Sequence, residues 1–161
     1  MTALGHAESP LGTILLSGDG EALTGLWFLG QKYEGAGLPE NAPVDENADT
    51  TDSTGSEAPA TLTWEQYFIR SAIACYKEYT ALADPPVLRP AGTDFQKAVW
   101  GRLLAIPYGE RRTYGGLASE LETILGRKTS ARAVGAAVGR NPISLLIPCH
   151  RVVGSGGSLT G

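Results

Sequence analysis

Cysteine and histidine are scarce in this chain. There are two of each in 161 residues: Cys75, Cys149, His6 and His150. Two cysteines cannot build a disulfide scaffold, and a zinc site of four cysteines is impossible. A Cys2His2 site would need all four of these residues, at a spacing that fits no zinc pattern. Long apolar runs are missing too, and none approaches the roughly 20 residues needed to cross a bilayer. The opening MTALGHAESP has neither the basic region nor the apolar stretch of a secretory signal. Together these absences lead us to expect a protein of the reducing cytoplasm with no membrane partner. Basic residues are almost missing from the first part of the chain. Residues 1–65 hold one base, Lys32, against eleven acids, for a charge of -10.

What is present has ordinary globular proportions. The chain is 42% hydrophobic and 19% charged, which excludes a wholly disordered protein. Its length suits one domain or two small ones. Residues 66–161 carry twelve bases against six acids, a charge of +6 hidden by the overall -4. A basic second half points modestly to a polyanion, and on charge alone a solvated surface with scattered arginines is the better reading. Most of the negative charge lies in residues 35–61, with six acids, no base, no aromatic and three prolines. Such a stretch cannot bury enough apolar surface to offset its chain entropy, so it reads as a flexible acidic linker.

Residues 11–17, LGTILLS, and 22–28, ALTGLWF, are short apolar runs around a Gly-Asp-Gly-Glu turn, the pattern of a β-hairpin. From Trp64 to Leu82, apolar residues recur at three- and four-residue steps, predicting a helix with Cys75 as a buried, inert thiol on its apolar stripe. Pro85 and Pro86 end it. Thr93 and Gln96 have the capping-box form, predicting a helix over about 94–106 that buries Phe95, Val99, Leu103 and Ile106. Thr113 can cap a second helix to about Leu125, and Ser130 a third over 131–138. Residues 143–147 read as a buried strand or extended segment. The fold class is therefore mixed α+β. A small sheet-and-helix domain over 1–84 precedes a mostly helical domain over 85–161 that contains a helix-turn-helix pattern.

The third helix has an unusual outer face. Val134, Ala137 and Val138 point one way, and Arg132, Gly135, Ala136 and Gly139 the other. A solvated face normally carries Lys, Glu or Gln, and a glycine costs a helix about 1 kcal/mol. The face suits close approach by another body, either a packed helix or a groove. Further on stands Ile147-Pro148-Cys149-His150-Arg151-Val152-Val153. A thiolate is a strong nucleophile, and nearby positive charge or hydrogen bonding favours it. In an extended segment the side chains of Cys149 and His150 would point to opposite sides, so a bridging water would have to link them. A cysteine hydrolase is disfavoured, because neither an oxyanion hole nor a third triad member is recognisable.

PCHRVVGSGG, preceded by SARAVGAAVGRNPISLLI, closely resembles the active-site region of the 6-O-alkylguanine-DNA alkyltransferases, also called methylated-DNA–protein-cysteine methyltransferases. GTDFQKAVWGRLLAIPYGERRTYGGLA and, more thinly, SPLGTILL resemble the same family. The resemblance implies a single-turnover DNA-repair enzyme without metal or organic cofactor. It would act as a monomer on double-stranded DNA bearing alkylated bases, with its recognition helix in the minor groove. It makes Cys149 the alkyl acceptor and His150 the water-linked base. Tyr114 and the carbonyls of Cys149 and Val152 would hold the flipped guanine, with Asn141 joining the recognition helix to the active-site segment. Arg132 would be the finger that enters the base stack. Ala131, Ala133, Gly135 and Ser130 would line the DNA surface. Zinc in some relatives is bound by N-terminal cysteines and histidines that this chain lacks.

Three departures from the family pattern stand out. The interval from Tyr114 to Arg132, which includes LETILGRKT, is about four residues longer. Ser144 stands where some members carry proline in the pocket wall. The chain stops at Gly161, ahead of a Tyr, a Gly pair and a Glu-bearing helix, so a truncated, slowly reacting chain is expected. The alternative within reach of the family, a non-catalytic binder of alkylated DNA, lacks the acceptor cysteine that is present here.

Overall fold

The computed structural model describes residues 3–9, 12–19, 21–38 and 87–158. The predicted helix over 64–82, Cys75 on it, and most of the acidic segment lie outside the described residues. The chain divides into two compact units, residues 1–90 and 91–161.

In the first unit β1 (Ala3–Ser9), β2 (Gly12–Gly18) and β3 (Leu23–Phe28) form an antiparallel sheet in that order. The hairpin read from sequence is β2–β3, with Leu15 opposite Trp27 and Leu16 opposite Leu26. Its turn is set by Asp19, whose carboxylate accepts the backbone N–H groups of Glu21 and Ala22 at 3.0 and 2.8 Å. Those two bonds, helped by Arg89, hold the Asp19 carboxyl below the usual carboxylate range. Strand β1 escaped sequence reading because ALGHAES has few β-branched or aromatic residues. Its strand state comes from pairing with β2. The segment 87–89 belongs with this unit. The Leu23 N–H donates to the Val87 carbonyl and the Arg89 N–H to the Leu23 carbonyl, both at 2.9 Å.

The second unit is built on α1 (Asp94–Leu104), α2 (Tyr114–Leu125) and α3 (Ala131–Val138). All three start where a side-chain cap was read. Thr93 and Gln96 cap reciprocally, Thr113 accepts the Gly116 N–H, and Ser130 accepts the Ala133 N–H. Helix α1 ends at Leu104, two residues short of expectation, because the Ile106 N–H turns back to Leu103 and Pro107 follows. Helix α2 ends at Gly126 in the left-handed region, φ 63°, the conformation glycine adopts most readily. The turn after it is pinned by Glu122, which accepts the Thr129 N–H at 3.0 Å, and by the Arg127 guanidinium, 5.9 Å from the Phe95 ring centre. Phe95, expected in the core, is therefore only half-buried beneath that cation. The core holds Val99, Leu103, Leu117, Leu121, Val134 and Ile143, none more than 1% exposed. Trp100 is 2% exposed, and its indole N–H donates to the Ala137 carbonyl at 2.9 Å, tying α1 to α3. Its ring lies over Gly92, where a Cβ would come within 2.6 Å of it.

Two expectations are corrected. Residues 143–147 form a turn and not a strand: Leu145 has φ 67° and the Ile147 N–H returns to the Ile143 carbonyl. Cys149–Arg151 is one turn of 3-10 helix and not extended, because Arg151 N–H bonds Pro148 and Val152 N–H bonds Cys149. Among the described residues no helix is long and apolar enough to cross a membrane.

Candidate functional site

The nucleophile's turn is assembled from both sides. On its upstream side stands Asn141, 7% exposed and just past α3. Its amide donates to the carbonyls of Ile143 and Ile147, at 3.2 and 2.9 Å, and its oxygen accepts the Ile143 N–H at 3.0 Å. These three bonds force residues 143–147 into a turn and fix Ile147, two residues before Cys149. A buried amide committed in this way positions the loop, with both of its N–H donors engaged and one lone pair of its oxygen in use. On the downstream side β5 (Val152–Val153) runs parallel to β4 (Arg112–Thr113). Arg112 lies opposite Val152, and Thr113 opposite Val153. Thr113 also caps α2, so this short pairing places Tyr114, the first residue of α2, beside the strand that follows Cys149.

Cys149 is a half-buried free thiol. In a 3-10 turn successive side chains lie about 120° apart, so His150 still diverges from the thiol, now by helical geometry. His150 is exposed at the surface yet held below the usual imidazole pKa, first by partial loss of water around its ring and second by the adjacent Arg151 charge. The ring is thus in its neutral, proton-accepting form at neutral pH. The carbonyl of Cys149 accepts the Val152 N–H, and Val152 is fully buried.

The α3 surface has the division read from its sequence. Val134, Ala137 and Val138 are buried, while Ser130, Ala131, Arg132 and Ala136 are exposed and Ala133 and Gly135 are intermediate. Gly135 faces the Tyr114 ring, since a Cβ there would lie 3.7 Å from two of its carbons. The structure therefore brings Tyr114, Gly135 and the start of β5 near one another. The Ser130 hydroxyl is engaged in capping α3. Arg151, which the sequence offers with His150 as a positive neighbour of the thiol, is instead turned inward: it is 8% exposed and anchored on the Ile106 carbonyl, which no local signal foretells.

Residues 94–161 match the DNA-binding domain of 6-O-methylguanine DNA methyltransferase. The chain is 40% identical over 157 residues to a methylated-DNA–protein-cysteine methyltransferase of Methanosarcina acetivorans, covering 96% of this chain and 85% of that protein. It is likewise 40% identical to the protein of that name from Mycobacterium leprae, covering 79% of it. Among solved structures it is similar to the O6-methylguanine methyltransferase of Mycobacterium tuberculosis, with TM-score 0.70 and 35% identity over 100% of this chain and 84% of that one. A structure of the tuberculosis protein in complex with DNA matches with TM-score 0.69 and 34% identity, over 99% of this chain and 83% of that one. The chain belongs to the methylated-DNA–protein-cysteine methyltransferase family.

Proposed function

We infer that this chain repairs DNA by moving a methyl or other alkyl group from oxygen 6 of guanine onto Cys149, once per molecule. Family membership together with a half-buried thiol in a turn clamped by Asn141 is the observation that carries the reading. The bare, exposed face of α3 enters the minor groove, which at ~6 Å wide favours a helix surface of alanine and glycine. Arg132 fills the stack where the damaged nucleotide has been extruded, and Tyr114 crowds the phosphate and assists extrusion. The flipped base lies between Tyr114 and the carbonyls of Cys149 and Val152. Neutral His150 accepts the thiol proton through a water. The sulfur then attacks the alkyl carbon, the carbon–oxygen bond breaks, and its electron pair leaves with the guanine, which is reprotonated. The product is a thioether, which no hydrolytic step reverses, so the protein acts a single time.

Mass spectrometry after mixing with a duplex carrying 6-O-methylguanine tests this. A stable added methyl group on the peptide containing Cys149 is expected, and Cys149→Ser should abolish it while leaving duplex affinity within about twofold, since phosphate contacts carry the binding. Binding without an adduct in the unaltered chain would make it a binder only, and turnover beyond one equivalent would make it a hydrolase.

A further inference from the structure

The turn carrying Cys149 is held at both ends, and the two ends are held by different means. Upstream, Asn141 grips the Ile147 carbonyl. Downstream, Arg151 closes the turn with its backbone and sends its side chain inward, where it is 8% exposed. Arginine is almost never buried to this degree without partners. Here Nη1 donates to the carbonyl of Ile106, and the guanidinium lies 5.8 Å from the centre of the Tyr108 ring. Ile106 is itself anchored: it is 3% exposed, and its N–H donates to Leu103 at the end of α1. The guanidinium thus bridges 45 residues of sequence, from a buried helix end to the residue two places after the nucleophile.

Stability alone does not require such a residue. A buried charge is costly to desolvate, and an apolar side chain of similar volume is often as stabilising. What a guanidinium adds is direction, because its planar fork serves a carbonyl and an aromatic face at once. We propose that Arg151 is a positioning residue for alkyl transfer: by tying the nucleophile's turn to Ile106 and Tyr108, it sets where the Cys149 sulfur stands for in-line attack on the alkyl carbon. The proposal rests on the transfer reading above. Attack along the line of the breaking bond leaves little tolerance, and a displacement of ~1 Å can cost on the order of 100-fold in rate.

The test is single-turnover transfer by the full chain, from a 6-O-methylguanine duplex and from the free 6-O-methylguanine base, alongside affinity for unmodified duplex. Arg151→Met should slow transfer ~10- to 100-fold on both substrates alike, because the sulfur is misplaced for either. Affinity for unmodified duplex should change less than twofold. Arg151→Lys should recover only part of the rate, since an ammonium cannot serve both the carbonyl and the ring. Tyr108→Leu, at a residue 68% exposed and so tolerant of change, should cost a few-fold. Adding it to Arg151→Met should cost nothing more, because the two changes remove one contact. Full rescue by lysine would assign the effect to charge and overturn the proposal. So would a loss on the duplex alone, or strictly additive effects. If Arg151→Met does not fold, Tyr108→Leu decides, and an unchanged rate overturns the proposal. An unaltered chain that transfers nothing would refute the transfer reading itself, whereas one that transfers no faster than its variants would refute only the role of Arg151.

Discussion

Replacing Asn141 with alanine should destabilise the second unit by roughly 2–6 kcal/mol, a range that follows from which groups lose partners. The amide makes three hydrogen bonds in a site 7% exposed. The Ile147 carbonyl keeps a second partner when the amide is removed, because it also accepts the Cys149 N–H at 2.8 Å. The Ile143 carbonyl also accepts the Ile147 N–H, at 3.1 Å. The full penalty therefore falls on the Ile143 N–H, which is left buried with nothing in its place. One stranded group costs roughly 1–3 kcal/mol, and each of the two weakened carbonyls adds roughly 0.5–1.5 kcal/mol. Asn141→Asp should cost at least as much, since it removes both donors and sets a buried charge against two carbonyls. Hydrogen exchange of peptides from residues 91–158 across a urea series would measure the change. Transfer should also fall, at urea concentrations far below the unfolding transition, because Ile147 leads directly into Pro148 and Cys149. A stability loss under about 1 kcal/mol would refute the reasoning, since it would mean that water or the loop itself replaces the amide at little cost.

Three further outcomes are expected. Arg132→Ala should slow repair of the duplex much more than reaction with the free modified base, which spends none of the few kcal/mol that extrusion requires; equal losses on both would remove Arg132 from the flipping step. His150 is shifted below its ordinary pKa by partial burial and then by Arg151, so the unfolded chain takes up a proton at higher pH than the folded one. Its contribution therefore favours folding least in acid: stability should decline as pH falls below about 6.5, the ordinary imidazole value, with the decline missing in His150→Gln when both are unfolded in urea at pH 5 and 7.5. Gly92→Ala should destabilise the second unit by about 1–3 kcal/mol, since the added methyl would stand 2.6 Å from the Trp100 ring; an unchanged thermal midpoint would show that the loop at Gly92 gives way freely.

The helix starts of the second unit were legible in the sequence because capping is local. A threonine or serine hydroxyl reaches an N–H three residues on, and Thr93, Thr113 and Ser130 need no distant partner to do so. The β2–β3 hairpin was legible for a similar reason, as two apolar runs flank a short turn. The division of α3 into a buried and a bare face followed from helical periodicity alone. Cys149 stood out as the candidate nucleophile by its neighbours in the chain. The conformation of its segment did not, because the determining contacts are remote. An apolar run such as Ile143–Ile147 reads as a strand until the Asn141 amide captures its backbone and bends it into a turn. Strand β1 exists through its pairing with β2, and Trp100 is fixed by a carbonyl 37 residues away. Arg151 reads from sequence as a positive neighbour of Cys149, and only the fold turns it inward onto Ile106. Sequence specifies what each residue can bond, whereas for these groups the partner lies far along the chain and is chosen only when the helices pack.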